Sequence, residues 1–147
     1  VGGCGTSRRW EESRRPRPRF ERRRVDGEGT LVKSYLDIRK GGEEARLASR
    51  KRGPRKRWKS SPSDDVAIAH WDDYTRARDA MLRGTHTAEA PWLIVRTDSK
   101  RHARLNLMRD ILSRVHYAGK RKALVQPDRD IVFEFTPDCV AAHRLAR

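Results

Sequence analysis

The longest apolar run in this chain, residues 90–95, is only six residues long. A membrane-spanning helix needs about 18 or more, so that class is excluded, and the interior has to be built from short pieces. Trp92-Leu93-Ile94-Val95 reads as a strand. Pro91 before it suits a strand's first position. Its unbroken apolar character predicts burial on both faces, as in a parallel sheet. Residues 31–38 are the second strand candidate, set between Gly27 and Gly29 on one side and Gly41-Gly42 on the other. Val32, Leu36 and Ile38 share one side of its pleat and are expected to carry its apolar face. Two strands cannot make a stable sheet with helices on both faces. Either the chain dimerises, or the remaining strands lie in a segment outside these residues.

Helices fill the space between and after the strands. Residues 43–51 read as a short helix. A longer one is predicted from Ser61 to about Arg83, with Ser61 as cap, Pro62 at the first helical position and Asp64 three residues beyond the cap. Ile68, Trp71, Tyr74 and Met81 are expected on one face. Asp72 with Arg76 and Asp79 with Arg83 are spaced to pair outside, and Gly84 is expected to end the helix. A third helix should start near Asp98 or Ser99 and run to about His116, with Leu105, Met108, Ile111, Leu112 and Val115 as its apolar stripe and Gly119 as its stop. Residues 131–135 read as a short terminal strand or a packed extended segment. The fold class is therefore α/β.

Charge limits the partners. The 147 residues carry 35 Lys or Arg against 20 Asp or Glu, a formal net charge of +15. The charged fraction of 37% is well above the roughly 25% of an average soluble domain. Residues 1–59 hold 20 basic and 8 acidic side chains, whereas residues 60–147 hold 15 and 12. The first part therefore faces a polyanion, is disordered, or both. In residues 1–24, Arg14-Arg15-Pro16-Arg17-Pro18-Arg19 mixes mutually repelling arginines with proline, and an extended or disordered basic arm is expected. The chain starts at Val1, which suggests a fragment, a processed chain or an alternative start codon.

Several chemistries have no signature here. There is no G-x-x-x-x-G-K-[ST] phosphate loop, and Gly41-Gly42 reads as a turn. His70, His86, His102, His116 and His143 are scattered, without H-E-x-x-H or a Cys/His cluster. No serine sits in G-x-S-x-G. Cys4 and Cys139 form no metal or redox spacing, which fits a reducing, cytoplasmic setting. The densest basic segment is Arg50-Lys51-Arg52-Gly53-Pro54-Arg55-Lys56-Arg57-Trp58-Lys59. It leads into a helix N-terminus, where free N–H groups and the helix dipole favour anions. It reads as a phosphate-binding loop or as a solvated basic loop.

Lys56-x-Trp58-Lys59-x-Ser61-Pro62-x-Asp64 resembles the K-x-W-K-x-S-P-x-D signature of the polyphosphate kinase type 2 family. Trp71-x-x-Tyr74-x-x-Ala77-Arg78 is similar to the family's following helix. Thr85-x-Thr87-x-x-Ala90-Pro91-Trp92-x-x-Val95 is similar to its next strand, and Asp98-x-Lys100-x-x-Ala103-Arg104-x-Asn106 to its last helix. Upstream, Val25-Asp26, Thr30-Leu31 with Lys33, and Arg46 with Arg50 also fit. The resemblance runs from about Phe20 to Phe135. Gly53 departs from it, standing where the family usually has Asp before Pro, and residues 1–19 do not resemble the family.

The resemblance implies a partial P-loop-kinase-like fold, a parallel sheet with flanking helices and a helical lid at about residues 43–83. That lid lies within an α/β domain of residues 25–135, with 136–147 as a tail. It implies phosphoryl transfer between inorganic polyphosphate and nucleoside di- or monophosphates (ADP, GDP or AMP), with Mg2+ as cofactor and a homo-oligomer as a candidate state. The family's Walker A loop and acidic Walker B strand lie earlier than anything in this chain, which looks like the C-terminal half. No metal ligand is therefore assigned. By the same resemblance Arg50, Lys56, Lys59 and Arg78 would hold phosphate oxygens, and Asp64 would order the lid or a metal-bound phosphate. The alternative is a basic module that binds nucleic acid or polyphosphate without catalysis.

Overall fold

Strand β2 (Trp92–Arg96) is the centre of the molecule, and Leu93, Ile94 and Val95 are all buried. The computed structural model describes residues 17–59 and 61–147. Before β2 come α1 (Arg17–Asp26), β1 (Lys33–Asp37), α2 (Lys40–Arg52), a 3-10 turn (Pro54–Lys59), α3 (Pro62–Ala69) and α4 (Trp71–Thr85). After it come α5 (Lys100–Arg114), a second 3-10 turn (Lys122–Val125), β3 (Val132–Glu134) and α6 (Asp138–Ala141). The sheet order among the described residues is β1-β2-β3. β1 runs parallel to β2, with Lys33 opposite Trp92 and Asp37 opposite Arg96. The last strand, β3, is antiparallel to β2, with Ile94 opposite Phe133, so the sheet is partly parallel.

Each face of the sheet has its own apolar cluster. Ile94, Phe133 and Phe135 pack with Leu82 of α4 and with Cys139, Val140 and Leu145 at the C-terminal end. On the other face Val95 and Val132 pack against Ala103 and Leu107 of α5. The predicted tail, residues 136–147, therefore contributes Cys139, Val140 and Leu145 to the core. Leu82 is completely buried, and truncating a buried leucine to alanine costs about 2–5 kcal/mol. Leu82→Ala should therefore lower the denaturant midpoint at an unchanged slope, as chemical unfolding will show.

Several sequence expectations are corrected. The arm is helical over Arg17–Asp26, because Pro18 sits in the first turn, where its missing N–H has no intrahelical acceptor to satisfy. The helix ends where Gly29 N–H meets the Arg24 carbonyl at 3.1 Å. A Cβ on Gly29 would lie 2.7 Å from that oxygen, so the approach requires glycine. Residues 1–16 of the predicted arm lie outside the described residues.

The long helix is two helices, broken at His70, whose φ of −105° and ψ of 28° leave the helical region. Its predicted start is correct: α3 begins at Pro62, and Ser61 N–H donates to Asp64 Oδ2 at 3.2 Å. Gly84 does not end α4. Thr85 extends it, donating from Oγ1 to the Met81 carbonyl at 2.6 Å and accepting from Trp92 Nε1 at 2.9 Å. The core-facing side of α4 is Arg78, Leu82 and Thr85, while Tyr74 is exposed. On α4 Arg76 pairs with Asp73 on the exposed side and the buried Arg78 with Asp79, instead of the i, i+4 pairs expected.

In β1 the expected face is reversed. Lys33 and Asp37 are buried and Leu36 is 58% exposed. Lys33 Nζ is held by Glu21 Oε2 at 2.7 Å and the Thr85 carbonyl at 2.6 Å, over the Trp92 ring. In α5 the predicted stripe also points out: Leu105, Met108, Ile111, Leu112 and Val115 are exposed, and Ala103, Asn106 and Asp110 are buried. Polar contacts select that orientation. Asn106 Oδ1 accepts the Asp128 N–H at 2.8 Å, and Asp110 holds Arg114 at 2.6 Å. The helix ends at Arg114, before Gly119. Among the described residues no helix is long and apolar enough to cross a membrane.

Candidate phosphate-binding groove

Both parallel strands end at the same side of the sheet, β1 at Asp37 and β2 at Arg96, and each hands over to a helix that starts there, α2 at Lys40 and α5 at Lys100. Ligands of open α/β sheets gather outside such carboxyl ends, where the helix N-termini add positive potential. A groove of about 370 Å³ opens at this point. Its floor is apolar, formed by Leu36, Ile38, Val95, Ala103 and Leu107, and its rim carries Arg46, Lys100 and Arg104 with one carboxylate, Glu43.

The rim is electrostatically crowded. The Arg46 guanidinium, aided by partial desolvation and by Arg50 and Arg104, holds the Lys100 ammonium below the ordinary lysine value, and Glu43 offsets this only in part. Arg46 is anchored by donating to the Thr97 carbonyl, which fixes it above the end of β2. Glu43 lies 4.0 Å from Arg46. Four cations held this close call for an anion with several charges.

The sequence-predicted site residues fall into three places. Arg50 Nη1 and Asp64 Oδ2 meet at 3.5 Å, joining the last turn of α2 to the first turn of α3. Lys56 and Lys59 lie in the 3-10 turn Pro54–Lys59, and their side chains fall outside the described residues. Trp58 in the same turn is 78% exposed, its Nε1 donating to the Arg55 carbonyl at 3.1 Å. Arg78 is buried elsewhere. It meets Asp37 at 3.3 Å, Asp79 at 2.8 Å and the Ala146 carbonyl at 2.6 Å, and it does not line the groove. Arg46, Lys100 and Arg104 are the residues sequence reasoning passed over as site residues. Their signal was present, since Lys100 and Arg104 are spaced i, i+4 on one helix face, but only the fold brings that face to α2.

Magnesium fits these residues poorly. Among the described residues no three His, Cys, Asp or Glu side chains converge on a point that could hold a metal. The carboxylates nearest the groove are engaged, Glu43 with Arg46 and Asp98 with Arg39 at 3.5 Å. What the groove offers a ligand is positive charge.

The sequence profile of the family described as Polyphosphate kinase 2 matches residues 1–123. The chain belongs to the polyphosphate kinase 2 family. The match begins at residue 1, which corrects the expectation that residues 1–19 are unrelated to it. Relatives of this family member include NDP-polyphosphate phosphotransferase 2 of Ruegeria pomeroyi, 41% identical over 133 residues, which are 90% of this chain and 39% of that protein. ADP-polyphosphate phosphotransferase 1 of Rhizobium meliloti is 38% identical over 126 residues, 85% of this chain and 42% of that protein. The crystal structure of Polyphosphate Kinase 2 from Arthrobacter aurescens aligns with a TM-score of 0.63 at 34% identity, over 67% of this chain and 36% of the other. This polyphosphate kinase 2 chain thus spans about two fifths of the length of the curated relatives it matches.

Proposed function

We propose that this chain takes part in polyphosphate:nucleotide phosphotransfer, and that its groove holds the polyphosphate. The observation that carries the reading is the convergence of Arg46, Lys100 and Arg104 on a groove at the carboxyl ends of β1 and β2, with Arg50 near enough to add to the positive field on Lys100. Arginine meets phosphate oxygens in bidentate fashion and lysine supplies a point charge. Such groups stabilise negative charge as it spreads over the transferred phosphoryl oxygens. Arg50, Lys56, Lys59 and Asp64 belong in this reading to the helical segment that closes over the phosphates. Arg50 is already tied to Asp64, so closure can carry a phosphate ligand and its support together. Arg78 would act from beneath, fixing α4 to β1. Magnesium, when present, would neutralise phosphate charge and would be held chiefly by the phosphates themselves. Relatives named for NDP and ADP support a nucleoside diphosphate as the partner substrate. The buried free thiol of Cys139 fits a reducing cytoplasmic setting.

The test is a coupled ATP-formation assay of the chain with long-chain polyphosphate, Mg2+ and ADP, beside a polyphosphate binding titration on the same sample. ATP formation with polyphosphate binding is the expected result. Binding without turnover would favour the alternative, a polyanion-holding module. Absence of polyphosphate binding would overturn the groove assignment.

A further inference from the structure

The far end of α5 carries a second basic cavity. It measures about 710 Å³ and is lined by Ser113 of the last helical turn, by His116, Tyr117 and Lys120 of the loop that follows, and by Lys122 and Arg129 around the second 3-10 turn. Three permanent cations and a histidine face this space, and no carboxylate lines it. The groove at the ends of β1 and β2 has as many cations but includes Glu43.

The local fold keeps negative charge away from the cavity. Asp110, the one acid of α5, is 1% exposed and is held by Arg114 at 2.6 Å and by Arg129 at 3.9 Å. Asp128 Oδ1 accepts the Asp130 N–H at 2.9 Å, and neither of these aspartates lines the cavity. A helix C-terminus ordinarily disfavours anions, but here its carbonyls are covered. Lys120 Nζ donates to the Ser113 carbonyl at 2.6 Å and to the Val115 carbonyl at 3.0 Å. Gly119, at a φ of 75°, turns the chain so that Lys120 comes back onto them. Lys122 and Arg129 remain exposed.

The groove and this cavity lie at opposite ends of one helix. Lys100 and Arg104 stand near the start of α5 and Ser113 in its last turn. The 15 residues of α5 span roughly 22 Å. We propose that the cavity is a second, non-catalytic polyphosphate site, which holds the distal stretch of a chain whose reacting end lies in the groove. The inference rests on the groove reading for the place of that reacting end. One ligand that reaches both sites makes the second contact intramolecular, so long chains gain affinity that short ones cannot. The stretch between the sites stays in water, because Leu105, Met108, Ile111 and Leu112 are exposed along α5 there.

The test titrates the intact chain with tripolyphosphate, too short to bridge the two sites, and with long-chain polyphosphate. The long chain should bind at least about tenfold more tightly and should shift the Gly119 amide resonance in 1H–15N NMR. Lys122→Ala with Arg129→Ala should weaken long-chain binding about tenfold and leave tripolyphosphate affinity unchanged. Lys122→Ala alone keeps the contact of Arg129 with Asp110 and should give a smaller loss in the same direction, which separates binding from any loss of fold. Long-chain affinity unchanged in both variants overturns the second site. An equal loss for tripolyphosphate also overturns it, since that would show only a general field of positive charge. A single-stranded RNA that binds as tightly as polyphosphate and loses as much in the variants would assign the cavity to nucleic acid instead. Tripolyphosphate binding that ignores Lys100→Ala with Arg104→Ala would strike the groove reading and leave the Lys122 result standing.

Discussion

Replacing Lys100 and Arg104 together by alanine should weaken polyphosphate binding about a hundredfold. Hydrogen bonds to charged groups contribute about 1.5–3 kcal/mol each. The lower end applies here, because the rim is open to solvent and screened by salt. Affinity in the unmodified chain should fall steeply as salt rises, and the variant should show a shallower slope. A binding titration at several salt concentrations reads both effects. Alkaline pH supplies a second signature. Lys100 loses its proton below the ordinary lysine value because Arg46 stands beside it. Polyphosphate binding favours the charged form, so affinity should decline as pH rises through that lowered value. Lys100→Arg should remove the decline, since arginine stays charged. Unchanged affinity in the double variant would place the polyanion elsewhere on the chain.

The largest expected loss of stability follows from Arg78→Ala. Arg78 and Asp37 side chains are 6% and 4% exposed, and removing one partner of a buried pair leaves an uncompensated charge at a cost of about 3–5 kcal/mol. In a chain of this length that corresponds to a fall of roughly 10 °C in the melting temperature, measurable by calorimetry. Asp37→Asn should cost less. Burial raises the Asp37 pKa despite the Ala146 N–H and Arg78, which act the other way. The folded state thus binds the Asp37 proton more tightly than the unfolded chain does. The contribution of this group to stability is full below its unfolded pKa and is lost as pH rises through the higher folded value. Asp37→Asn should flatten that acidic-range dependence while Arg78 keeps its contacts to Asp79 and the Ala146 carbonyl. A variant Arg78→Ala as stable as the parent would show that the pair contributes little to holding α4 on the sheet.

Trp92 to Val95 could be read as a doubly buried strand because continuous apolar character has few other solutions at that length. The start of α3 was legible for a local reason, since Ser61, Pro62 and Asp64 satisfy a helix N-terminus among themselves. Faces were harder. In β1 the alternation put Leu36 inside, but Lys33 finds Glu21 and the Thr85 carbonyl, from residues far along the chain, and those contacts outweigh the apolar pattern. The same happened in α5, where Asn106 and Asp110 turn inward because they hold the segment around Asp128 and Arg129. The groove is a tertiary product. Arg46 and Lys100 are remote in sequence, and only the parallel pairing of β1 with β2 brings their helices to one side. The motif around Lys56 identified the family, while the geometry of the cations had to come from the fold.

Among the described residues β1 is hydrogen-bonded on one side only, to β2. An open edge of this kind accepts almost any extended polypeptide, and the hazard is greatest while the chain is folding. The buried ends of the strand, Lys33 and Asp37, change what can join. An incoming apolar strand would lay its side chains beside an ammonium and a carboxylate that already have partners, and would gain little by displacing them. Charges turned inward on an edge strand therefore work as a filter. They leave the backbone able to pair, yet make the pairing profitable only for a sequence built to accommodate both charges.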